Sequence, residues 1–353
     1  MAVPLSVGGS STSVESRSAA SELARRAGPR SGAALRHVTA CVDGSEASRQ
    51  VLRHSWAVAQ ALRLPVSVLH VVETDDNGGP ADPLEWELRR LEARHFLDEA
   101  AASLPDQSGK LEIELRQGNA AEQILRWAAA HDGELTVLCR HGRHGRAEWA
   151  LSSTARKLVE VAPGSLLIVP EGTAGTDEPI RYRRVLVPVD GSLRAESALA
   201  AAMDIARAHD AELLVAHAVP APELTQPGPP TPEDLEIERQ VVARNEQVAS
   251  NYLRRVRSWL SERGVPVRAF TLHGGEVRER LCDAIARERA DLVVLSAHGR
   301  TSPRGVPCGS VASYLLSHLS VPMLVLRERH RAMASAAPPS GAGGEPRHPA
   351  RAS

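Results

Sequence analysis

The sequence predicts a doubly wound α/β fold written twice along one chain. Three observations carry this reading: an internal repeat, a strict alternation of strand and helix patterns inside each copy, and strands that are apolar on both faces. With 353 residues the chain is long enough for two ordinary domains. HVTACVDGSEAS at 37–48 matches RVLVPVDGSLRA at 184–195, which sets Asp43 opposite Asp190. LTVLCRHGRHGRAEWALSS at 135–153 matches LVVLSAHGRTSPRGVPCGS at 292–310, which sets Gly142 opposite Gly299. The first offset is 147 residues and the second 157, so the later copy carries about ten extra residues, assigned to APELTQPGPPTPEDLE. The reading places domains at 35–171 and 182–328, joined by a linker at 172–181. The tails, 1–34 and 329–353, are expected to be disordered, because their Ser/Ala/Arg-rich and Gly/Pro-rich tracts hold too little apolar surface to offset ordering entropy.

The elements follow in order. In the second copy RVLVPVD is a strand, and SALAAAMDIARAHD is a helix with Leu199, Ala202, Met203 and Ala206 on one face. ELLVAHAV is the next strand, followed by the long amphipathic helix EDLEIERQVVARNEQVASNYLRRVRSWLSER. VRAFTLHG is a strand, VRERLCDAIARER a helix and DLVVLSA a strand. VASYLLSHL is a helix with Val311, Leu315 and Leu319 in register and Ser310 as its expected N-cap, and PMLVLR closes the unit as a strand. The first copy runs in the same order from the helix SRQVLRHSWAVAQALR to the final strand SLLIVP. Such alternation means a parallel sheet covered by helices on both faces, with ligands at the strands' carboxyl ends.

Composition excludes several classes of function. The net charge is −1, so no global field recruits nucleic acid or an anionic membrane. Aromatic residues make up 3% of the chain, too few for base-stacking platforms. Cys41, Cys139, Cys282 and Cys308 form no CxxC pair, which fits a reducing compartment and a cytoplasmic protein. No apolar run reaches the length of a membrane span, so membrane insertion is not expected.

The most informative stretch is SAHGRTSPRGVPCGS at 296–310, between an apolar strand and an apolar helix. Glycines before a helix N-terminus make an anion site from free backbone N–H groups and the helix dipole. The same glycines also serve a plain surface crossover that only needs turns. Asp190, at the end of its strand, is either an acceptor for a ligand or an Asx-turn residue shaping the D-G-S bend.

Together, V-P-V-D-G-S, the A-H-A-V strand and this loop resemble the universal stress protein family in its tandem two-domain form. The family's nucleotide loop reads G-x2-G-x9-G-[S/T], and the second copy has Ser296-x2-Gly299-x9-Gly309-Ser310. The resemblance implies two flavodoxin-like (adenine-nucleotide-binding, Rossmann-like) sandwiches, each with a five-stranded parallel sheet. It implies ATP as ligand, with Pro188 and Ala218 walling the adenine and Asp190 accepting from adenine or ribose. Gly299 would let the backbone pass the ribose and α-phosphate, and Gly309 and Ser310 would offer donors to phosphates. His298 lies beside the phosphates by position and reads as an orienting or packing residue. A Mg²⁺ or Mn²⁺ ion would be held mainly by phosphates and water, as the loop offers no carboxylate.

The first copy departs further from the pattern. Its loop reads Cys139-x2-Gly142-x9-Ser152-Ser153, and Cys41 stands where the second copy has Pro188. It keeps Asp43, Val71 and Gly142. Arg140, Arg143 and Arg146 either hold phosphates or form a solvated face. ATP is therefore expected mainly in the second half, in a stress-response or regulatory module. The rival readings are a slow ATP-hydrolysing or adenylyl-transferring enzyme, and a nucleotide-free interaction scaffold. No P-loop, nucleophile elbow or paired carboxylate supports the enzyme. The final strands SLLIVP and PMLVLR are expected to meet in an intramolecular pseudo-dimer, as unpaired apolar edges invite pairing. Further homo-oligomerisation is left open.

Overall fold

The computed structural model of the chain describes residues 35–73, 83–102, 111–131, 134–141, 151–171, 179–219, 231–300, 306 and 308–327. Both tails, most of the linker, Gly142, Arg143, Arg146 and residues 301–305 lie outside the described residues. The first half runs β1 (His37–Val42), α1 (Glu46–Leu62), β2 (Val66–Val72), α2 (Pro83–Ala102), β3 (Glu112–Gln117), α3 (Ala120–Ala130), β4 (Glu134–Cys139), α4 (Ser153–Val161) and β5 (Ser165–Val169). The second repeats it as β6 (Arg184–Pro188), α5 (Leu193–His209), β7 (Glu212–Val219), α6 (Pro232–Ser261), β8 (Val267–His273), α7 (Val277–Arg287), β9 (Leu292–Ser296), α8 (Ser310–His318) and β10 (Met323–Leu326).

Within each half every strand pair is parallel, and the strand order across the whole sheet is β3-β2-β1-β4-β5-β10-β9-β6-β7-β8. All seven residues of β2 and all five of β5 are buried, with Ser67, His70 and Ser165 among them, as strands covered on both faces must be. One face carries a core shared by α1, α2, α5 and α6, with Val51, Val58, Leu97, Leu199, Ile205 and Leu253 among its members. The other carries α3, α4, α7 and α8, through Ile124, Leu158, Ile285 and Leu315. The extra length of the second copy lies in the β7–β8 crossover, partly as helix. There α6 runs for 30 residues against 20 in α2, and its buried positions begin only at Ala249.

The halves join through β5 and β10, which pair antiparallel with Leu324 opposite Leu167. Either strand alone would be an open apolar edge. Two arginines fasten this seam. The buried Arg140, just after β4, donates from its guanidinium to the carbonyls of Leu319 and Ser317 at the carboxyl end of α8. The buried Arg327, just after β10, donates to the carbonyls of Val159 and Ala162 at the end of α4. Arg140 is thus neither a phosphate ligand nor part of a solvated face, because the seam takes its guanidinium. On the α1 side His54 Nδ1 meets the Tyr182 hydroxyl at 2.8 Å, and both side chains are buried.

The turns after β1 and β6 need a left-handed residue, and Gly44 and Gly191 supply it, each with φ of 77°. One cap differs from expectation. The N-cap of α8 is Gly309, in extended conformation, and Ser310 is the first helical residue.

Candidate functional site

In the second half three carboxyl-terminal strand ends converge. After β6 the chain passes Val189 and Asp190 into the Gly191 turn, and Ser192 caps α5 by accepting from the Ala195 N–H at 3.2 Å. Asp190 Oδ1 accepts from the Ser192 N–H at 2.9 Å, which is the Asx-turn geometry. Its Oδ2 reaches further and accepts from the Arg300 N–H at 2.6 Å, while the Arg300 guanidinium donates to the Asp190 carbonyl at 3.0 Å. Asp190 therefore stitches the first turn to the loop that follows β9. Burial alone would raise its pKa, but the donors from Ser192 and Arg300 outweigh it and hold the carboxyl below its usual value.

Gly299 makes the stitch possible. A Cβ there would stand 2.7 Å from Asp190 Oδ2, closer than real Cβ contacts come. Gly299→Ala is expected to push the carboxylate or the loop aside, at a cost of about 1–3 kcal/mol in stability. Urea unfolding of the variant checks this, and an unchanged midpoint would show that the strand ends tolerate the methyl group.

Beyond Gly299, His298 donates from Nε2 to the Val306 carbonyl and pins the loop to itself, an orienting role. Ser296 ends β9, and its hydroxyl accepts from the His298 N–H at 3.4 Å. The Gly309 N–H is already used, donating to the Ala297 carbonyl at 2.7 Å, so Gly309 offers space and not a donor. Gly309 gives α8 no side-chain cap, and helix geometry leaves the N–H groups of Ser310, Val311 and Ala312 without intrahelical partners. Period-2 alternation puts Pro188 and Ala218 on one face, with Leu186 and Ala216, and both are half-buried beside the strand ends. The structure thus gathers Pro188, Asp190, Ala218, Ser296, His298, Gly299, Gly309 and Ser310 at the ends of β6, β7 and β9.

The first half builds the same frame and fills it differently. Asp43 Oδ1 accepts from the Ser45 N–H at 3.0 Å, the Ser45 hydroxyl at 2.6 Å and the Ser48 hydroxyl at 2.9 Å. Val71 is buried near the end of β2. Ser152, the counterpart of Gly309, accepts from the Ala155 N–H at 3.1 Å and so caps α4 with its own side chain. Ser153 follows as the first, exposed residue of that helix. One amide that an anion could take is therefore already satisfied.

Two contributors escaped the sequence reading. His217 donates from Nδ1 to the Val189 carbonyl at 2.8 Å, and His70 does the same to Val42 at 2.9 Å, each just before its aspartate. The offset of 147 residues that pairs Asp43 with Asp190 also pairs these histidines, so the signal was present in the repeat. Arg300 was overlooked because nothing in its spacing shows that the loop turns back over Asp190. A line from Glu134 through His37 to Ser67, with 2.9 Å at each step, has the order of a hydrolytic triad. It lies at the amino-terminal ends of the strands and Ser67 is fully buried, so it serves packing and presents no nucleophile.

With this geometry in place, comparison with known proteins is direct. The profile described as "Universal stress protein family" matches residues 34–170 and 181–327. The chain belongs to the universal stress protein family. A universal stress protein of Mycolicibacterium smegmatis is 26% identical over 301 residues, covering 82% of this chain and 96% of the relative. One from Mycobacterium tuberculosis is 28% identical over 302 residues, covering 81% and 95%. The crystal structure of a universal stress protein from Archaeoglobus fulgidus matches with a TM-score of 0.56 at 16% identity, over 83% of this chain and 97% of that one. A putative universal stress protein from Pseudomonas aeruginosa matches at 0.55 and 18% identity, over 83% and 93%. These likenesses establish a tandem universal stress protein with the flavodoxin-like fold. Among the described residues no helix is long and apolar enough to cross a membrane.

Proposed function

We propose that this universal stress protein binds an adenine nucleotide, ATP, at the carboxyl ends of β6, β7 and β9, and acts as a cytoplasmic stress-response module. The observation that carries the reading is the contrast between the two helix starts. The three amides that open α8 have no side-chain cap, whereas Ser152 caps α4 internally. Phosphates would lie against Ser310, Val311 and Ala312, with the Ser310 hydroxyl and the Arg300 charge nearby. Pro188 and Ala218 would flank the base. Asp190 accepts from the Ser192 N–H and hydroxyl and from the Arg300 N–H, and a carboxylate with about four lone-pair sites keeps one for a ligand hydroxyl or amino group. Among the described residues no group of three His, Cys, Asp or Glu side chains can hold a metal ion. A Mg²⁺ or Mn²⁺ ion would arrive with the phosphates and keep its waters.

Residues 35–171 and 182–328 act in this reading as two domains of an intramolecular pseudo-dimer, with the antiparallel β5–β10 pairing as its seam. Calorimetric titration of the full chain with ATP tests the function. One site per chain is expected, with Mg²⁺ binding only when nucleotide is present. Absence of binding, or two equal sites, would overturn it, and rapid release of phosphate would move the protein to the enzymes.

A further inference from the structure

We propose that Arg140, a residue of the first half, is a positioning residue for the anion-binding helix start of the second half. Three features of its placement lead there. Its backbone belongs to the first half's own loop, where its N–H donates to Val169 at 2.7 Å and its carbonyl accepts from the Ser152 N–H at 2.9 Å. Its side chain leaves that half and satisfies the Ser317 and Leu319 carbonyls, two of the acceptors that the end of α8 leaves open. It is buried, with 5% of its surface exposed, so no solvent cation can readily replace it.

The helix it holds is short. Nine residues span about 13 Å, so a fixed charge at one end governs where the other end points. The guanidinium complements the dipole at the carboxyl end of α8, while the amides of Ser310, Val311 and Ala312 sit at the opposite end. Fixing one terminus of a rigid rod keeps those amides aimed at a single point before a ligand arrives, and such preorganisation is what a bound anion gains from. The second half's site is therefore completed from the first half. Arg327 is the partial mirror case: it holds the carboxyl end of α4, whose start Ser152 already caps, and its charge also reaches Cys308 just before α8, but it bonds no acceptor at the carboxyl end of α8.

This inference rests on the nucleotide site proposed for α8, and the test separates the two. Arg140→Gln, Arg140→Lys and Arg327→Gln are made in the full chain. ATP affinity, thermal unfolding and amide hydrogen exchange of the nucleotide-free protein are then measured. Arg140→Gln is expected to weaken ATP binding by about threefold to tenfold, the scale of one helix-terminal charge. It should also raise exchange at residues 310–312, with Arg140→Lys recovering part of both effects. Arg327→Gln is expected to lower the unfolding temperature, yet to change ATP affinity and exchange at 310–312 clearly less than Arg140→Gln does. Equal losses in the Gln variants of Arg140 and Arg327 would reduce Arg140 to a structural contact and overturn the proposal. So would unchanged exchange at 310–312 in Arg140→Gln. If the parent binds no ATP but exchange at 310–312 rises only in the Arg140 variants, the nucleotide reading falls and the positioning role stands.

Discussion

Gly309→Val is expected to weaken ATP binding about tenfold to a hundredfold, while Ser152→Val leaves it unchanged. The N-cap of α8 has φ of −69° and ψ of 160°, which valine adopts without strain, so the variant tests space and not backbone conformation. A branched side chain there would stand over the amides of Ser310, Val311 and Ala312. Loss of one charge-assisted donor removes roughly 1.5–3 kcal/mol, and each 1.4 kcal/mol is about a factor of ten. Ser152→Val should instead remove the bond to the Ala155 N–H and lower stability by about 1 kcal/mol. Nucleotide titration reads the first effect, chemical unfolding the second, and circular dichroism checks both folds. The opposite pattern, with binding lost in Ser152→Val and kept in Gly309→Val, would assign the site to the other half.

The second large effect concerns acid. Burial, assisted by the neighbouring Arg53 charge, lowers the pKa of His54 from 6.5 to about 4. The folded protein keeps the imidazole neutral beside the Tyr182 hydroxyl, whereas the unfolded chain takes up a proton once the pH falls below about 6.5. Between those values the unfolded state binds more protons, so stability must fall as pH falls. At ~1.4 kcal/mol per unit the loss approaches roughly 3 kcal/mol by pH 4, and below that both states are protonated and this loss stops growing. His54→Asn is expected to flatten the slope between pH 6.5 and 4 while lowering stability at neutral pH. Urea unfolding at three pH values decides it; parallel slopes in parent and variant would remove His54 as the cause. Since His54 sits on α1 and Tyr182 leads into β6, the acid loss falls on the contact between the halves.

Much of this fold could be read before any coordinates. The strands around Val185, Leu213 and Leu292 are apolar on both faces, and a parallel sheet under two layers of helix is the arrangement that buries such strands. The glycine spacing of the second half's loop is a local property that the sequence displays, whereas the close approach of Gly299 to Asp190 is set by the fold. What escaped depends on long-range geometry. The guanidinium of Arg140 lies 179 positions from its acceptor at Leu319, and no local pattern encodes a contact of that reach. The Gly309 cap was missed by one residue, since serine has the stronger cap preference and only tertiary placement sets Ser310 inside the helix. The Gly309 N–H escaped for a similar reason: its acceptor, Ala297, becomes a neighbour only once the loop closes.

The seam between β5 and β10 has a consequence for how such a protein can change. Were the halves two identical chains, every substitution would enter twice, and a serine favoured at one helix start would be imposed on the other. With both halves in one chain each mutation enters once. Ser152 can close one helix start while Gly309 leaves the other open, and Arg140 can cross the seam although its counterpart is Ala297. Gene fusion in this sense releases the two halves from enforced equality. One half is free to become a scaffold for the other, and the assembly no longer depends on how much protein is present.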